Sequence, residues 1–189
     1  MGNGESGAGE RCEAAVSSRT DGEDPLSDDR PLSLRFPIAL VLSIACLTTP
    51  AWADFEAGMA AYHRGDYATA LREWQRLAEQ WQAEEAQFNV GLLYENGQGV
   101  PQDYVQARQW YAKAAAQGYA SAQSNLGRLY EFGHGVTQDF VLAHKWYILG
   151  AANGDKLGAE LRDALAKRIT PAQLFQSQQR AREWKPNGK

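Results

Sequence analysis

The stretch AQFNVGLLYENGQGV, residues 86–100, returns 36 residues later as AQSNLGRLYEFGHGV, residues 122–136. Extended over the full period, residues 86–121 (unit 1) and residues 122–157 (unit 2) are identical at 19 of 36 positions. The matches fall on glycines and aromatic residues, and a fixed period between 20 and 50 residues is typical of stacked repeat architectures. These two units therefore decide the fold.

The first half of each unit has the pattern of an amphipathic helix. In unit 1, Ala86, Val90 and Tyr94 recur at the spacing of one helix face, with Leu93 beside them. Gly97 follows, and glycine ends helices because it tolerates a positive φ. The pattern predicts a helix that ends at this glycine, with the same helix repeated in unit 2.

The second half of each unit predicts a second helix. Asp103 suits an N-cap, and Gln106 three residues later completes a capping-box pattern. A helix that ends at Gly118 then has one face made of small residues and large rings. These are Ala107, Trp110, Tyr111, Ala114 and Ala115. One such hairpin cannot bury its apolar face alone, so the copies must stack.

Residues 86–155 follow one motif almost without departure: Ala-x-x-x-(Leu/Val)-Gly-x-x-Tyr-x-x-Gly-x-Gly-Val-x-x-Asp-x-x-x-Ala-x-x-Trp-Tyr. This motif resembles the Sel-1-like repeat, a relative of the tetratricopeptide repeat. The resemblance implies an all-α fold, an α/α solenoid of stacked helical hairpins with a Sel-1-like or tetratricopeptide-like superhelix. It also implies an adaptor for other proteins rather than an enzyme.

The flanking regions continue the stack in altered form. Residues 54–85 are interpreted as a degenerate first repeat, because Trp74 precedes Trp110 by 36 residues while the turn between helices is shorter. Residues 158–189 are interpreted as C-terminal capping helices, with an N-cap at Thr170 and a frayed tail over residues 185–189. Terminal repeats are expected to be atypical because they cap the stack.

The N-terminal region predicts export. Residues 1–33 have the composition of a disordered or mis-assigned extension, and we expect translation to start near Leu34. Residues 34–53 combine a basic flank, a short apolar core and an Ala-x-Ala site, as in a signal peptide. Cleavage after Ala53 predicts a periplasmic or secreted bacterial protein, without an integral membrane segment after cleavage. Lipid attachment at Cys46 is the alternative.

Charge and composition narrow the function further. The net charge is −4, but residues 54–189 carry 15 basic and 15 acidic side chains, so the charge balance does not favour nucleic-acid binding. Both cysteines, Cys12 and Cys46, precede the predicted cleavage site. His63, His134 and His144 are dispersed, and His134 is expected to be exposed in a loop. The sequence therefore predicts no catalytic residue, no metal site and no cofactor.

The candidate partner-binding residues lie on the predicted first helices, at positions that differ between units or face the groove. They are Met59, Tyr62, Phe88, Asn89, Leu92, Ser124, Asn125 and Arg128. We expect them to form one strip on the concave face that binds a protein or peptide of unknown identity. Two readings of the identical asparagines stay open: contact with a ligand, or a bond to a neighbouring helix.

An alternative function follows from the same resemblance. Some cysteine-rich members of the Sel-1-like family are described as β-lactam-binding or weakly hydrolysing envelope proteins. Those members staple each repeat with a cysteine pair, and residues 54–189 contain no cysteine. No residue of that activity is therefore carried over to this chain.

Overall fold

The computed structural model describes residues 51–187, with side chains from residue 53 onward, and all of them belong to one compact unit. This part of the chain folds into eight helices without strands. They are α1 (Ala51–His63), α2 (Tyr67–Gln80), α3 (Glu84–Asn96), α4 (Tyr104–Gln117), α5 (Ala120–Phe132), α6 (Phe140–Ala152), α7 (Lys156–Ala166) and α8 (Pro171–Glu183). The predicted N-terminal extension, nearly all of the predicted leader and both cysteines lie outside the described residues.

The helices pair as hairpins and the hairpins stack, as the repeat predicts. α1 packs on α2, α3 on α4 and α5 on α6, and α2–α3 and α4–α5 contacts join successive hairpins. α7 and α8 both pack against α6 and close the stack at its C-terminal end. The fold class predicted from the sequence, an all-α solenoid, is confirmed.

The helix ends follow the predicted residues, with one correction. Gly97 ends α3 in the left-handed conformation at φ 66°, and the Asp103 carboxylate accepts hydrogen bonds from the amides of Val105 and Gln106. The predicted capping box at Asp103 is wrong in its second half. The Asp103 amide donates to the carbonyl of Tyr94 at 2.9 Å, so the return of the chain onto α3 takes the place of the Gln106 side chain.

The Gly-x-Gly loops fix how closely the hairpins approach each other. A side chain at Gly99 would come within 2.7 Å of the Tyr67 backbone at the start of α2. A side chain at Gly135 would come within 2.5 Å of the Tyr104 backbone at the start of α4. Each loop therefore rests on the second helix of the preceding hairpin, and only glycine permits that contact.

The core follows the repeat as well. All five residues predicted for the buried face of α4 are buried. Trp74 is 2% exposed and Trp110 is 5% exposed, and both belong to the core cluster built around α1, α2 and α3. Trp146 is only half-buried, packed on the next cluster, which contains Tyr111 and Leu126. The tryptophan spacing is regular, but the burial of the third ring is not.

The C-terminal region departs from the expected pattern in two places. The capping box at Thr170 and Gln173 is present. On α7, however, Leu165 is buried whereas Leu157, the last residue of unit 2, is 48% exposed, so the buried face of α7 does not include the end of the repeat. Residues 185–189 are predicted to be frayed, yet the amide of Asn187 donates to the carbonyl of Ala116 at 2.7 Å. The chain thus folds back over the preceding helices.

Candidate partner-binding surface

The predicted strip divides into two groups in the structure. Met59 and Tyr62 of α1 are half-buried on the first core cluster, where the Tyr62 ring lies 5.7 Å from Trp74 and 5.2 Å from Tyr67. Phe88 of α3 packs on the second cluster instead. The first-helix residues thus cover two neighbouring parts of the core.

Phe88 is held by two tyrosines. Its ring centroid lies 5.6 Å from Tyr111 and 5.2 Å from Tyr119, both tilted contacts. Aromatic pairs at these distances add to the stability gained from burial. Because Phe88 is only partly buried, part of its ring remains open to a partner. It has a packing role together with any binding role.

Ser124 does not belong to an accessible surface. It is 1% exposed, and a side chain built at Gly150 or at Gly158 would meet its hydroxyl at 2.3 Å. The expectation that Ser124 lines the groove is therefore wrong. The physical reason is that α6 and α7 approach this point of α5 closely, with a glycine from each, and leave room only for a small side chain.

Asn125 and Arg128 come together in a polar network between units. The Arg128 guanidinium donates to the Asn125 side chain at 3.3 Å and lies 3.5 Å from the carboxylate of Glu95 on α3. The hydroxyl of Tyr111 donates to the same carboxylate at 2.6 Å. Burial, followed by the negative charge of Glu95, raises the pKa of Tyr111 far above its usual range, so it stays a donor.

Unit 2 repeats this network with a different arginine. The Tyr147 hydroxyl donates to Glu131 at 2.7 Å, and Arg168, which follows α7, pairs with the other carboxylate oxygen. Burial and the bond to Glu131 also raise the pKa of Tyr147. The structural roles of Glu95 and Glu131 were not predicted, although their identity in both units was the available indication.

Asn89 and Leu92 are the remaining predicted residues on α3, and both are partly buried, as Met59 and Tyr62 are. Asn125 bonds Arg128 within its own helix, so its amide is turned toward the network at the α3–α5 junction. Asn89, Leu92, Asn125 and Arg128, with the outer edge of Phe88, make up what we call the first-helix surface.

One buried pair escaped sequence analysis because its members are 33 residues apart. His144 Nδ1 lies 2.7 Å from the Ser177 hydroxyl, which donates to the carbonyl of Leu174 at 2.8 Å. Which of the two groups donates depends on the imidazole tautomer. Both residues are buried, and their contact joins α6 to α8.

The described residues were also compared with the requirements for a metal site and for a membrane span. Residues 51–187 contain no cluster of three acidic, histidine or cysteine side chains able to hold a metal ion. No helix in that range combines the length and apolar character that a membrane span requires. His134 is exposed, as predicted, and its ring stacks on Tyr104 at 4.5 Å.

Stacked helical hairpins, whose second helices begin at an aspartate N-cap, define a helical-repeat solenoid of the tetratricopeptide-like class. The chain belongs to the Sel1 repeat family. The family model for the Sel1 repeat matches residues 84–119 and 120–155. This family consists generally of protein-interaction scaffolds, typically without enzymatic activity.

Three known proteins illustrate what this chain is similar to. Protein sel-1 homolog 2 of Rattus norvegicus is 38% identical over 85 residues, which cover 42% of this chain and 12% of that protein. The structure of a Sel1 repeat protein from Oxalobacter formigenes matches with a TM-score of 0.56 and 33% identity, over 67% of this chain and 97% of that one.

A third relative is c5321, described as a protective antigen present in uropathogenic Escherichia coli strains and displaying an SLR fold. Its crystal structure matches with a TM-score of 0.68 and 32% identity over 71% of this chain. The match spans 30% of c5321, and the match to the rat protein spans 12% of that protein. Both relatives are therefore much longer than the part that is similar.

Proposed function

We propose that this protein is an exported cell-envelope adaptor that binds a protein or peptide through the first-helix surface. The observation that carries the proposal is the position of Asn89, Leu92 and Arg128. These side chains remain partly exposed on α3 and α5, whereas the tryptophans and aspartates that recur between the units pack against the core or cap helices. In stacked hairpins the first helices line the concave surface, which suits an extended ligand.

The chemistry of this surface fits protein recognition. Leu92 and the edge of Phe88 offer apolar contact, and Asn89 offers an amide that can pair with a ligand backbone. Arg128 is 40% exposed and held by Glu95 and Asn125, so binding orders it at little entropic cost. An aromatic ring near an ordered arginine is the usual composition of a binding hot spot.

Export is the second part of the proposal, and it is supported by the leader-like residues 34–53. Cleavage after Ala53 would leave Asp54 as the first residue, within α1, where its carboxylate pairs with Arg76 at 2.8 Å. The envelope fraction of the native host is therefore the place to look for the protein and its partner. Edman sequencing of that protein should begin at Asp54; an N-terminus before residue 34 contradicts export by this leader.

Site-specific photocrosslinking in the native host tests the binding surface. A photoreactive residue at Asn89 on α3 is compared with one at Gln109, which is exposed on α4 of the same hairpin. We expect a specific adduct from position 89 and none from position 109. Adducts of equal yield at both positions contradict the first-helix surface.

With the crosslinked partner purified, Arg128→Ala measures the contribution of the guanidinium. We expect binding to weaken by at least ~1 kcal/mol, as for an interface hot spot. The melting temperature should change little, because an ion pair with this exposure contributes at most about 1 kcal/mol to stability. Phe88→Ala is less informative, since loss of the Tyr111 and Tyr119 contacts lowers stability together with binding.

A further inference from the structure

The C-terminal segment of the chain crosses the outer surface formed by the second helices. α8 ends at Glu183, and Trp184 continues in an extended conformation with φ −72° and ψ 138°. Its ring meets Trp146 of α6 edge-on, with the centroids 6.1 Å apart and the planes at 71°. Three residues later the amide of Asn187 donates to the carbonyl of Ala116 in the last turn of α4. The segment Trp184–Asn187 thus bridges two repeat units, and we call it the tail.

The hydrogen bond to Ala116 fills a position that the helix itself cannot fill. The last four carbonyls of a helix lack partners within the helix. In α4 the carbonyls of Ala114 and Ala115 accept from Tyr119 and Gly118, whereas that of Ala116 accepts from the tail. The Ala116 carbonyl can therefore accept a hydrogen bond from the backbone N–H of an extended segment.

A cleft lies where the tail ends. Its volume is about 330 Å³, and Gln82, Lys113, Ala116 and Gln117 line it together with Asn187. Gln82 has a positive φ of 52°, and its carbonyl accepts from the Gln117 side chain at 2.8 Å. Two of the walls are therefore joined by a hydrogen bond between unit 1 and the loop before it, and this bond does not involve the tail.

The aromatic half of the contact shows what the tail covers. Trp146 is half-buried, with the Lys145 ammonium 4.3 Å from its ring, whereas the equivalent Trp110 is 5% exposed. Without Trp184, Trp146 would present one more aromatic edge to solvent. An apolar group exposed on a surface marks an interaction site, and extended peptides bind through main-chain hydrogen bonds together with side-chain contacts.

We propose that this surface is a peptide-binding site, separate from the first-helix surface, and that the tail is its resident ligand. Its ligand class is an extended segment with an aromatic residue two positions before a proline, as Trp184-Lys185-Pro186 shows. Pro186 confines Lys185 to extended conformations, so the tail loses little freedom on binding. A partner segment of the same chemistry binds once the tail leaves, and the tail thereby controls access.

The affinity expected for such a site is modest. A tail attached to α8 by a short linker has an effective concentration in the millimolar range. A tail that is bound at least nine-tenths of the time therefore has an intrinsic Kd of at most about one ninth of that effective concentration. It also lowers the apparent affinity for a competing peptide at least ~10-fold, because only the open fraction can bind.

The probe is acetyl-Glu-Trp-Lys-Pro-Asn-amide, the sequence of residues 183–187. It is titrated into the ¹⁵N-labelled full chain and into a chain that ends at Glu183, and amide shifts near Ala116 and Trp146 are followed. We expect saturable shifts in the shortened chain and at least ~10-fold weaker apparent binding in the full chain. Equal affinity for both chains, or no shift in the shortened chain at 5 mM peptide (about the millimolar effective concentration of the tail), overturns the proposal.

A matched pair of full-length variants keeps the test independent of truncation. Asn187→Pro removes the amide hydrogen that Ala116 accepts, whereas Asn187→Ala retains it. We expect Asn187→Pro to strengthen apparent peptide binding relative to the unchanged chain, and Asn187→Ala to leave it unchanged. The same affinity for both variants contradicts the assigned hydrogen bond and with it the resident-ligand role. Because the first-helix surface is untouched, failure here leaves the adaptor proposal standing.

Discussion

Units 1 and 2 share the bonds that hold a hairpin together and differ in how each hairpin meets the next. Both cap the second helix with aspartate, and both join a tyrosine hydroxyl to a buried glutamate. At one aligned position, however, unit 1 has Phe88 against Tyr119 and unit 2 has Ser124 against Gly150 and Gly158. Residues that are identical in the two units hold each hairpin together. Residues that differ between the units set how closely each hairpin packs against the next helix.

The largest effect should come from the tryptophans. Trp110→Ala empties a site that is 5% exposed, and we expect a loss of about 3–5 kcal/mol in the free energy of unfolding. Trp146→Ala should cost less, since that ring is only partly buried. Urea unfolding of the full chain measures both, with Gln109→Ala as a control that stays within ~0.5 kcal/mol. Equal losses for Trp110 and Trp146 would remove the difference in burial between units.

Exchanging the junction residues tests the second difference directly. Ser124→Phe forces a ring between two glycine-lined helices, and overpacking of this kind costs about 1–3 kcal/mol. Phe88→Ser instead loses contacts with Tyr111 and Tyr119 and leaves solvent-accessible space. In Ser124→Phe we expect the α6–α7 junction to loosen, with faster hydrogen exchange at the amides of α7. Unchanged exchange and unchanged stability in Ser124→Phe would show that the junction adapts.

The shared network predicts a matched pair of smaller effects. Tyr111→Phe and Tyr147→Phe each remove a hydrogen bond to a buried carboxylate, which contributes about 1.5–3 kcal/mol. Because Arg128 and Arg168 still pair with the glutamates, we expect the lower end of that range in both units. Thermal unfolding with the two variants side by side checks this. A much larger loss at Tyr147 would mean that Arg168 does not replace Arg128.

The smallest effect concerns pH at the C-terminal end, which has no counterpart in unit 1. Burial, and then the nearby Arg162, lower the pKa of His144 below its usual value of about 6.5. The unfolded chain thus binds more protons below that pH, so stability is present above it and falls as the pH drops. His144→Gln should flatten the decrease in melting temperature between pH 7 and 5. The exposed His63→Gln should not, and equal slopes for both variants count against the assignment.

Much of the fold could be predicted because the repeat aligns the sequence with itself. Gly97 and Asp103 recur as Gly133 and Asp139 with the same conformations. The same argument about helix ends therefore applies to both hairpins. The contacts of the candidate partner-binding residues could not be predicted in the same way. Comparing Phe88 with Ser124 reveals a difference of residue but not the partners that changed with it. Nothing in the repeat pointed to His144 and Ser177, because α8 has no copy elsewhere in the chain.

The Ser124 junction also has a consequence for how such a chain can grow. Each Gly-x-Gly loop needs only the start of the preceding second helix, so a further copy of unit 1 inserted before residue 86 would find its contacts ready. A further copy of unit 2 after residue 157 would not, because the glycines that meet Ser124 come from α6 and from the helix that closes the stack. Duplication can therefore lengthen the array from within, while its C-terminal end behaves as a fixed stop.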